Sequence, residues 1–184
     1  MAELSRSSTR GRAVCGVGLM IWCLLLLTLG CSPADGAGAP PAGQAEAGVE
    51  AGVETVPVEL AGRTFEVELA LTPASRLQGL SDRLVVPEDG GMLFVFPDVA
   101  RRAFVMRRCL VPIDIAYLDD AGRVVRTHAM AVEPPGTPEH RLTHYPSRYP
   151  ARYALELAGG TLAELGLEPG DPVTLPPGLV ERAE

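Results

Sequence analysis

The sequence predicts a mostly β domain: a compact antiparallel sandwich or small barrel with one or two short edge helices. Three observations support this prediction. Apolar and polar residues alternate with a period of two over several runs, as in half-buried strands. The connecting segments are short and rich in turn-forming residues, which favours hairpins over long crossovers. Only two segments carry helix-capping signals, and both are short. Residues 55–179 have the length of one ordinary domain.

The first predicted elements are a hairpin and a helix. The segment VPVEL begins at residue 56, and TFEVELAL follows at residue 64 with Phe65, Val67 and Leu69 on one face. The intervening AGR predicts a hairpin turn. In the next segment, TPASRLQGL, Thr72 is a candidate N-cap and Pro73 occupies the first helical position, which is a favoured pairing.

Five further strands are predicted. GGMLFVF is apolar on both faces, as expected for a strand inside a sheet. IDIAYL and RVVRTHAM flank a turn that contains Gly122 and predict a second hairpin. RYALELA and PVTL predict two later strands.

The second predicted helix lies in TLAELG, between the last two strands. Thr161 and Glu164 have the spacing of a capping box, and Gly166 is available to end the helix.

The first 30 residues predict an export signal. Basic residues precede an apolar run at 14–29, which is too short and too one-sided for a spanning helix. The run ends in LTLGC. This sequence resembles the lipobox of bacterial lipoproteins, where cleavage before the cysteine leaves Cys31 lipidated, although Thr28 stands where leucine is usual. An ordinary cleaved signal peptide and an uncleaved anchor are the alternatives.

Residues 31–54 predict a flexible tether, because this stretch of Ala, Gly and Pro has too few large apolar side chains to offset the entropy of ordering. Residues 180–184 are predicted to be a short tail. We therefore expect an exported lipoprotein, anchored to the membrane through Cys31, at the periplasmic face or the cell surface.

Charge and composition exclude some classes of function. The chain has 16 basic and 23 acidic residues, a net charge of −7. Loss of the export signal removes three arginines and Glu3, leaving 13 basic against 22 acidic residues, a net charge of −9. This charge argues against a nucleic-acid partner. The chain has no lysine, which excludes Schiff-base chemistry by a lysine.

Cys109 is the one cysteine of the predicted domain, so no disulfide can form within it. It could act as a nucleophile, but a lone cysteine is more often a small buried apolar side chain, and we favour that interpretation.

Five segments occur in an order that resembles a known family: VELALTPASRLQGLSDR, GGMLFVF, FVMRRCLVPIDIAYLDDAGRVV, YALELAGG and LGLEPGDPVTL. The chain is similar, over residues 56–175, to the bacterial and archaeal family called domain of unknown function 192, whose members are commonly exported or membrane-attached. Near Met106 the chain departs from the family pattern, because Val105 stands where a Trp is common and Arg107 begins a segment that is usually Lys-Asn-Thr.

Two carboxylates stand inside apolar strand segments. Asp114 interrupts VPIDIAYL, and Glu156 interrupts YALEL. Burial of an isolated carboxylate is costly unless it is paired or protonated. Small neighbours such as Ala116 and Ala154 would leave room for a ligand. Alternatively, each carboxylate pairs with an arginine or faces solvent. For Glu156 we favour that structural interpretation, and for Asp114 the two interpretations stay open.

Ligand-binding residues are predicted on one loop-rich face of the domain. Asp114 would orient the site, while the arginines would pair with it or with an anionic ligand. No catalytic residue, metal ligand or cofactor is assigned. A copper site at His128 and Met130 is a minor alternative, because thioether and imidazole suit Cu(I). The predicted set is Asp114, Arg76, Arg83, Met106 and Arg107.

The sequence thus favours a non-catalytic exported domain that binds a small polar ligand or an envelope partner. One alternative is a small hydrolase that acts on glycan or cell-wall material, with Asp114 and Glu156 as paired carboxylates. A structural envelope protein without a ligand is a third possibility.

Overall fold

The computed structural model describes residues 54–184. The chain there forms nine strands, two α-helices and two 3-10 turns, at Glu139–Arg141 and Val180–Arg182. The strands are β1 (Thr55–Leu60), β2 (Arg63–Ala70), β3 (Gly90–Ala100), β4 (Ala103–Phe104), β5 (Ile113–Leu118), β6 (Val124–Met130), β7 (Tyr145–Pro146), β8 (Ala151–Ala158) and β9 (Val173–Thr174). The helices are α1 (Pro73–Gln78) and α2 (Thr161–Glu164).

Seven strands form one curled, half-barrel sheet, in the order β6-β5-β8-β3-β2-β1-β9, and β4 pairs with β7 in a small second sheet. The mostly β prediction with two short helices is confirmed. One pairing was not anticipated: β2 and β3 run parallel, with α1 in the connection between them. The other neighbouring strands of the large sheet are antiparallel.

The sheet separates two groups of buried apolar side chains. The inner cluster lies on one face of the sheet and includes Phe65, Leu93, Leu118 and Leu155. The outer cluster lies on the other face, beneath α1 and the segment that contains β4, and includes Phe94, Met106, Ile115 and Tyr117. Alternate residues of β5 and β8 contribute to opposite clusters, because successive side chains of a strand point to opposite faces.

Helix α1 begins as its sequence predicts. The Thr72 hydroxyl accepts a bond from the Ser75 backbone N–H at 3.1 Å, and the Ser75 hydroxyl accepts one from the Thr72 backbone N–H at 3.0 Å. Pro73 stands in the first turn. This reciprocal cap satisfies two backbone donors and fixes where the helix starts.

The start of α2 differs from the prediction. Its N-cap is Gly160, which makes no side-chain capping bond, and Thr161 is the first helical residue. Gly160 has φ 96°, a left-handed conformation that glycine adopts without a Cβ clash. The capping oxygen comes instead from Asp114 on β5, which is described below.

Residues 180–184, predicted to be a tail, are packed against the domain. Val180 and Ala183 contact the inner cluster, and the Glu184 backbone N–H donates to the Leu71 carbonyl at 3.0 Å. The predicted export signal, the lipidation site at Cys31 and most of the tether lie outside the described residues. Within residues 54–184, no helix is long and apolar enough to cross a membrane.

Candidate functional site

A cavity of about 610 Å³ opens on the outer-cluster side of the sheet. One wall is α1 with the turn that follows it, and the opposite wall is the end of β3 with the segment 101–109. Strands β3 and β8 provide the floor through Phe94 and Glu156. The cavity is large enough for a small organic molecule, since ligand pockets commonly measure roughly 300–1,000 Å³.

Glu156 is the unusual residue of this floor. Its side chain lies opposite Met92 on β3 and Ile115 on β5, and only 5% of its surface is exposed. None of the hydrogen bonds within residues 54–184 involves its carboxyl group. Loss of hydration on burial raises its pKa to about 8. At neutral pH the group is therefore a neutral acid that faces the cavity and can donate a hydrogen bond.

The cavity beside Glu156 is aromatic. Phe94 and Phe104 meet edge to face with their ring centroids 4.8 Å apart, an arrangement that aromatic pairs favour. Gly79 closes over this pair, because a Cβ at residue 79 would lie 3.3 Å from the Phe94 ring and 3.9 Å from Oε2 of Glu156. The floor is thus an apolar, aromatic surface with one polar group at its edge.

Phe96 is held between two guanidinium groups at the edge of the cavity. The Arg102 guanidinium lies 3.5 Å from the Phe96 ring centroid, and that of Arg76 lies 5.1 Å from it. Burial and the neighbouring charge of Arg102 lower the pKa of Arg76. Arg102 is neutralised in part by Asp98, whose Oδ1 it contacts at 2.8 Å.

Arg76, a predicted ligand-binding residue, lines the cavity, but its donors are occupied by main-chain oxygens. It donates to the carbonyls of Leu71 at 2.6 Å and Val95 at 2.9 Å, and to the main-chain oxygen of Glu184 at 2.5 Å. These bonds tie α1 to β3 and to the end of the described chain. The chief contribution of Arg76 is therefore to hold the wall in place.

Two other arginines keep unused donors at the cavity. Arg107, also predicted, is paired with Glu139 through Nη2, while its buried Nε has no partner within the described part of the chain. Arg101, which the sequence did not single out, is exposed and lines the cavity. Its side chain makes no hydrogen bond or ion pair with any of residues 54–184.

Cys109 also lines the cavity, with 9% of its surface exposed. Burial, with smaller contributions from the nearby charges of Glu156 and Asp82, raises the pKa of its thiol to about 11. The thiolate that nucleophilic chemistry requires is scarce at neutral pH. This environment agrees with the interpretation of Cys109 as a small buried side chain.

Asp114 lies elsewhere, on the inner-cluster face of β5 beneath α2. It is 2% exposed, and its Oδ2 accepts backbone N–H bonds from Gly160 at 3.0 Å and Leu162 at 2.9 Å. It therefore supplies the cap that Thr161 was expected to give. This pairing explains why an acid lies within an apolar strand, because one carboxylate oxygen accepts bonds from two backbone N–H groups at the start of α2.

Arg83 and Met106, the remaining predicted site residues, are also not among those that line the cavity. Arg83 forms a two-bond pair with Glu68, in which Nη2 lies 2.6 Å from Oε2. Met106 is 1% exposed and fills the outer cluster. The fold thus brings Arg76 and Arg107 together at the cavity and places the other three residues of the predicted set outside it.

The register of the sheet contradicts the alternative in which Asp114 and Glu156 act as a catalytic pair. Asp114 stands opposite Leu157, and Glu156 stands opposite Ile115. Because directly opposite residues of paired strands share a face, Asp114 lies with the inner cluster and Glu156 with the outer one. The sheet separates the two carboxyl groups, so they cannot act together on one glycosidic bond.

Within residues 54–184, no group of three or more His, Cys, Asp or Glu side chains is placed to hold a metal ion. His128, from the copper alternative, is hydrogen-bonded instead: its Nε2 lies 2.9 Å from the Pro146 carbonyl oxygen.

Comparison with known proteins shows the family. The model of the domain of unknown function 192 (DUF192), described as "Uncharacterized ACR", matches residues 56–175. The chain belongs to the DUF192 family. Every cavity-lining residue falls between Pro73 and Glu156, inside the DUF192 match. Comparison with curated proteins found no match.

Two solved structures resemble this DUF192 domain. One is a protein of unknown function from Novosphingobium aromaticivorans DSM 12444, with 32% identity over 69% of this chain and 89% of that chain, and a TM-score of 0.60. The other, from Sinorhizobium meliloti 1021, is described as a candidate transcription regulator. It has 30% identity over 66% of this chain and 94% of that chain, and a TM-score of 0.58.

Proposed function

We propose that this DUF192 domain binds a small ligand in the cavity and does not transform it. The observation that carries the proposal is Glu156, which is 5% exposed, lines the cavity and makes no side-chain hydrogen bond to any of residues 54–184. Burial of a polar group without a partner costs roughly 1–3 kcal/mol. A ligand that accepts a hydrogen bond from Glu156 would recover part of that cost.

Binding is favoured over catalysis by the groups that surround Glu156. Cys109 holds its proton at neutral pH, and Asp114 is on the other face of the sheet. The other charged groups that line the cavity are four arginines and Asp98, which is paired with Arg102. The permanent protonation of the arginines suits them to hold an anion and not to move protons.

We also propose that the domain acts outside the cytoplasm, attached to the membrane through a lipid on Cys31. The lipobox-like LTLGC and the basic and apolar segments before it support this proposal. The tether at residues 31–54 would then hold the domain away from the membrane surface. A nucleic-acid ligand is disfavoured by the net charge of −9 after signal removal, so we do not extend to this chain the regulator description of the S. meliloti protein.

The binding proposal is tested with N-phenylnaphthylamine (NPN), an uncharged dye that fluoresces in apolar surroundings. We expect saturable NPN binding by the folded domain. Val105→Trp should weaken it at least about threefold, because an indole at this half-buried lining position fills part of the cavity. Val99→Trp is the matched control, since Val99 is 41% exposed and does not line the cavity.

Near-ultraviolet circular dichroism must show that both variants keep their tertiary packing. Loss of binding in Val105→Trp alone supports the cavity as the site. Absence of saturable binding to the wild-type domain, or equal binding by both variants, would favour the alternative of a structural envelope protein without a ligand.

A further inference from the structure

We propose that the cavity selects a small amphipathic anion, with an apolar body in contact with Phe94 and Phe104 and an acidic group beside the arginines that line the cavity. This inference rests on the proposed function, because it names the ligand class of the same cavity. Three features of the cavity support it: the sign of its charge, the availability of one guanidinium group, and the neutrality of its floor.

The charge at the cavity is opposite to that of the domain. Residues 54–184 contain 13 arginines and 19 acidic residues, a net charge of −6. Yet the cavity is lined by four arginines and by only two acidic residues, Asp98 and Glu156. Asp98 is engaged by Arg102. Clefts lined by one sign of charge concentrate ligands of the opposite sign, so this surface attracts anions to an otherwise acidic protein.

The four arginines are not equivalent. Arg76 is bonded to three main-chain oxygens, Arg102 to Asp98, and Arg107 to Glu139. Arg101 is exposed and has no partner among the described residues. A guanidinium group presents several N–H donors in one plane, which match the oxygens of a carboxylate or sulfonate. Arg101 is therefore the cation that a ligand can engage without breaking an existing contact.

The floor of the cavity favours an apolar body over a second charge. Phe94, Phe104 and Leu80 offer hydrocarbon surface, and burial keeps Glu156 protonated at neutral pH. A neutral acid does not repel an anion, and its O–H can donate to an uncharged oxygen on the inner end of the ligand. A cationic ligand would have to pass the arginines at the opening, so the charge distribution disfavours it.

The test compares NPN with anilinonaphthalene sulfonate (ANS), since the two dyes share their aromatic rings and only ANS carries a sulfonate. We expect the wild-type domain to bind ANS at least about threefold more tightly than NPN at low salt, consistent with one exposed charge contact. Arg101→Gln should remove most of this preference, because it lowers ANS affinity by a larger factor than NPN affinity. Raising NaCl to about 0.5 M should reduce the ratio of ANS affinity to NPN affinity in the wild type, because salt screens the charge contact.

Arg63→Gln is the matched control. Arg63 is an exposed arginine on β2 that packs over Phe65 of the inner cluster, so it loses the same charge at a distance from the cavity. Two outcomes would overturn the anion preference: a wild-type domain that binds NPN as tightly as ANS or more tightly, or equal losses of ANS affinity in Arg63→Gln and Arg101→Gln. Neither outcome contradicts the proposed function as long as NPN binds in the cavity. Failure of both dyes to bind, or binding that Val105→Trp leaves unchanged, would overturn the proposed function itself.

Discussion

At the scale of single residues, Glu156 links stability to pH. Its pKa is raised from an ordinary 4.5 to about 8, so the folded state holds a proton that the unfolded chain releases over this interval. Stability therefore falls as pH rises from about 4.5 to about 8 and is constant above that range. The fall attributable to Glu156 is on the order of 3–5 kcal/mol, at 1.36 kcal/mol per pKa unit.

Glu156→Gln checks this prediction. Glutamine has the shape of the protonated acid and cannot ionise, so the variant should match the wild type near pH 5 and exceed its stability near pH 8. Urea unfolding at several pH values gives the difference in free energy directly. A difference that does not change between about pH 5 and pH 8 would show that Glu156 titrates normally.

The two carboxylates illustrate what sequence can and cannot establish about a residue. The alternation in IDIAYL and YALEL correctly indicates that Asp114 and Glu156 are set in apolar strands. It also gives the face of each side chain within its own strand. Whether the two carboxylates lie on the same face of the sheet depends on the register between β5 and β8, and tertiary packing sets this register. The sequence placed Asp114 in the predicted site and favoured a structural role for Glu156, whereas the structure places Glu156 at the cavity and Asp114 beside α2.

At the scale of elements, α2 depends on a residue from another strand. Asp114→Ala removes the acceptor for the Gly160 and Leu162 backbone N–H groups, and we expect a loss of ~2–6 kcal/mol, at ~1–3 kcal/mol for each donor left unsatisfied. Asp114→Asn keeps one oxygen of the same size and should lose less. Thermal or urea unfolding measures both variants.

The same variants separate a structural role from ligand binding by Asp114. Because the sheet lies between Asp114 and the cavity, NPN affinity of the folded Asp114→Ala domain should equal that of the wild type. Impaired NPN binding by the folded Asp114→Ala domain would contradict this assignment.

The connection from β2 to β3 shows why strand pairing was only partly predictable. The capping signals at Thr72 and Pro73 located α1 correctly. The sequence between Leu80 and Gly90 gave no periodic pattern, so it did not show whether β3 would return beside β2 in the same direction. The parallel pairing arises because α1 and this loop carry the chain back over the outer face, and this path creates one wall of the cavity.

At the scale of the whole molecule, the sequence left a sandwich and a small barrel equally open. The observed curl brings the start of β6 to the segment before β9, where the Val124 N–H donates to the Asp171 carbonyl at 2.9 Å and the Gly170 N–H to the Val124 carbonyl at 2.7 Å. These contacts join main-chain groups more than 40 residues apart in sequence. No side-chain pattern encodes them, because any residue other than proline supplies the donor.

Membrane attachment is a prediction about the whole chain. In the source organism, wild-type protein should incorporate a labelled fatty acid and fractionate with membranes, whereas Cys31→Ser should do neither. Cys109→Ser is the control for labelling of another cysteine, since Cys109 is buried in the domain. Labelling of the Cys31→Ser protein, or its retention in the membrane fraction, would favour an uncleaved anchor.

The bonds of residue 184 to Leu71 and Arg76 bear on how the domain should be produced in the laboratory. The family match ends at residue 175, so a recombinant fragment that ends there would contain the whole matched segment. Such a fragment would lack the contacts of residue 184 with Leu71 and Arg76, which hold α1 beside the cavity. Fragments for crystallisation or ligand screening should therefore extend through residue 184. A negative screen then describes the intact cavity and not one that has lost its C-terminal contacts.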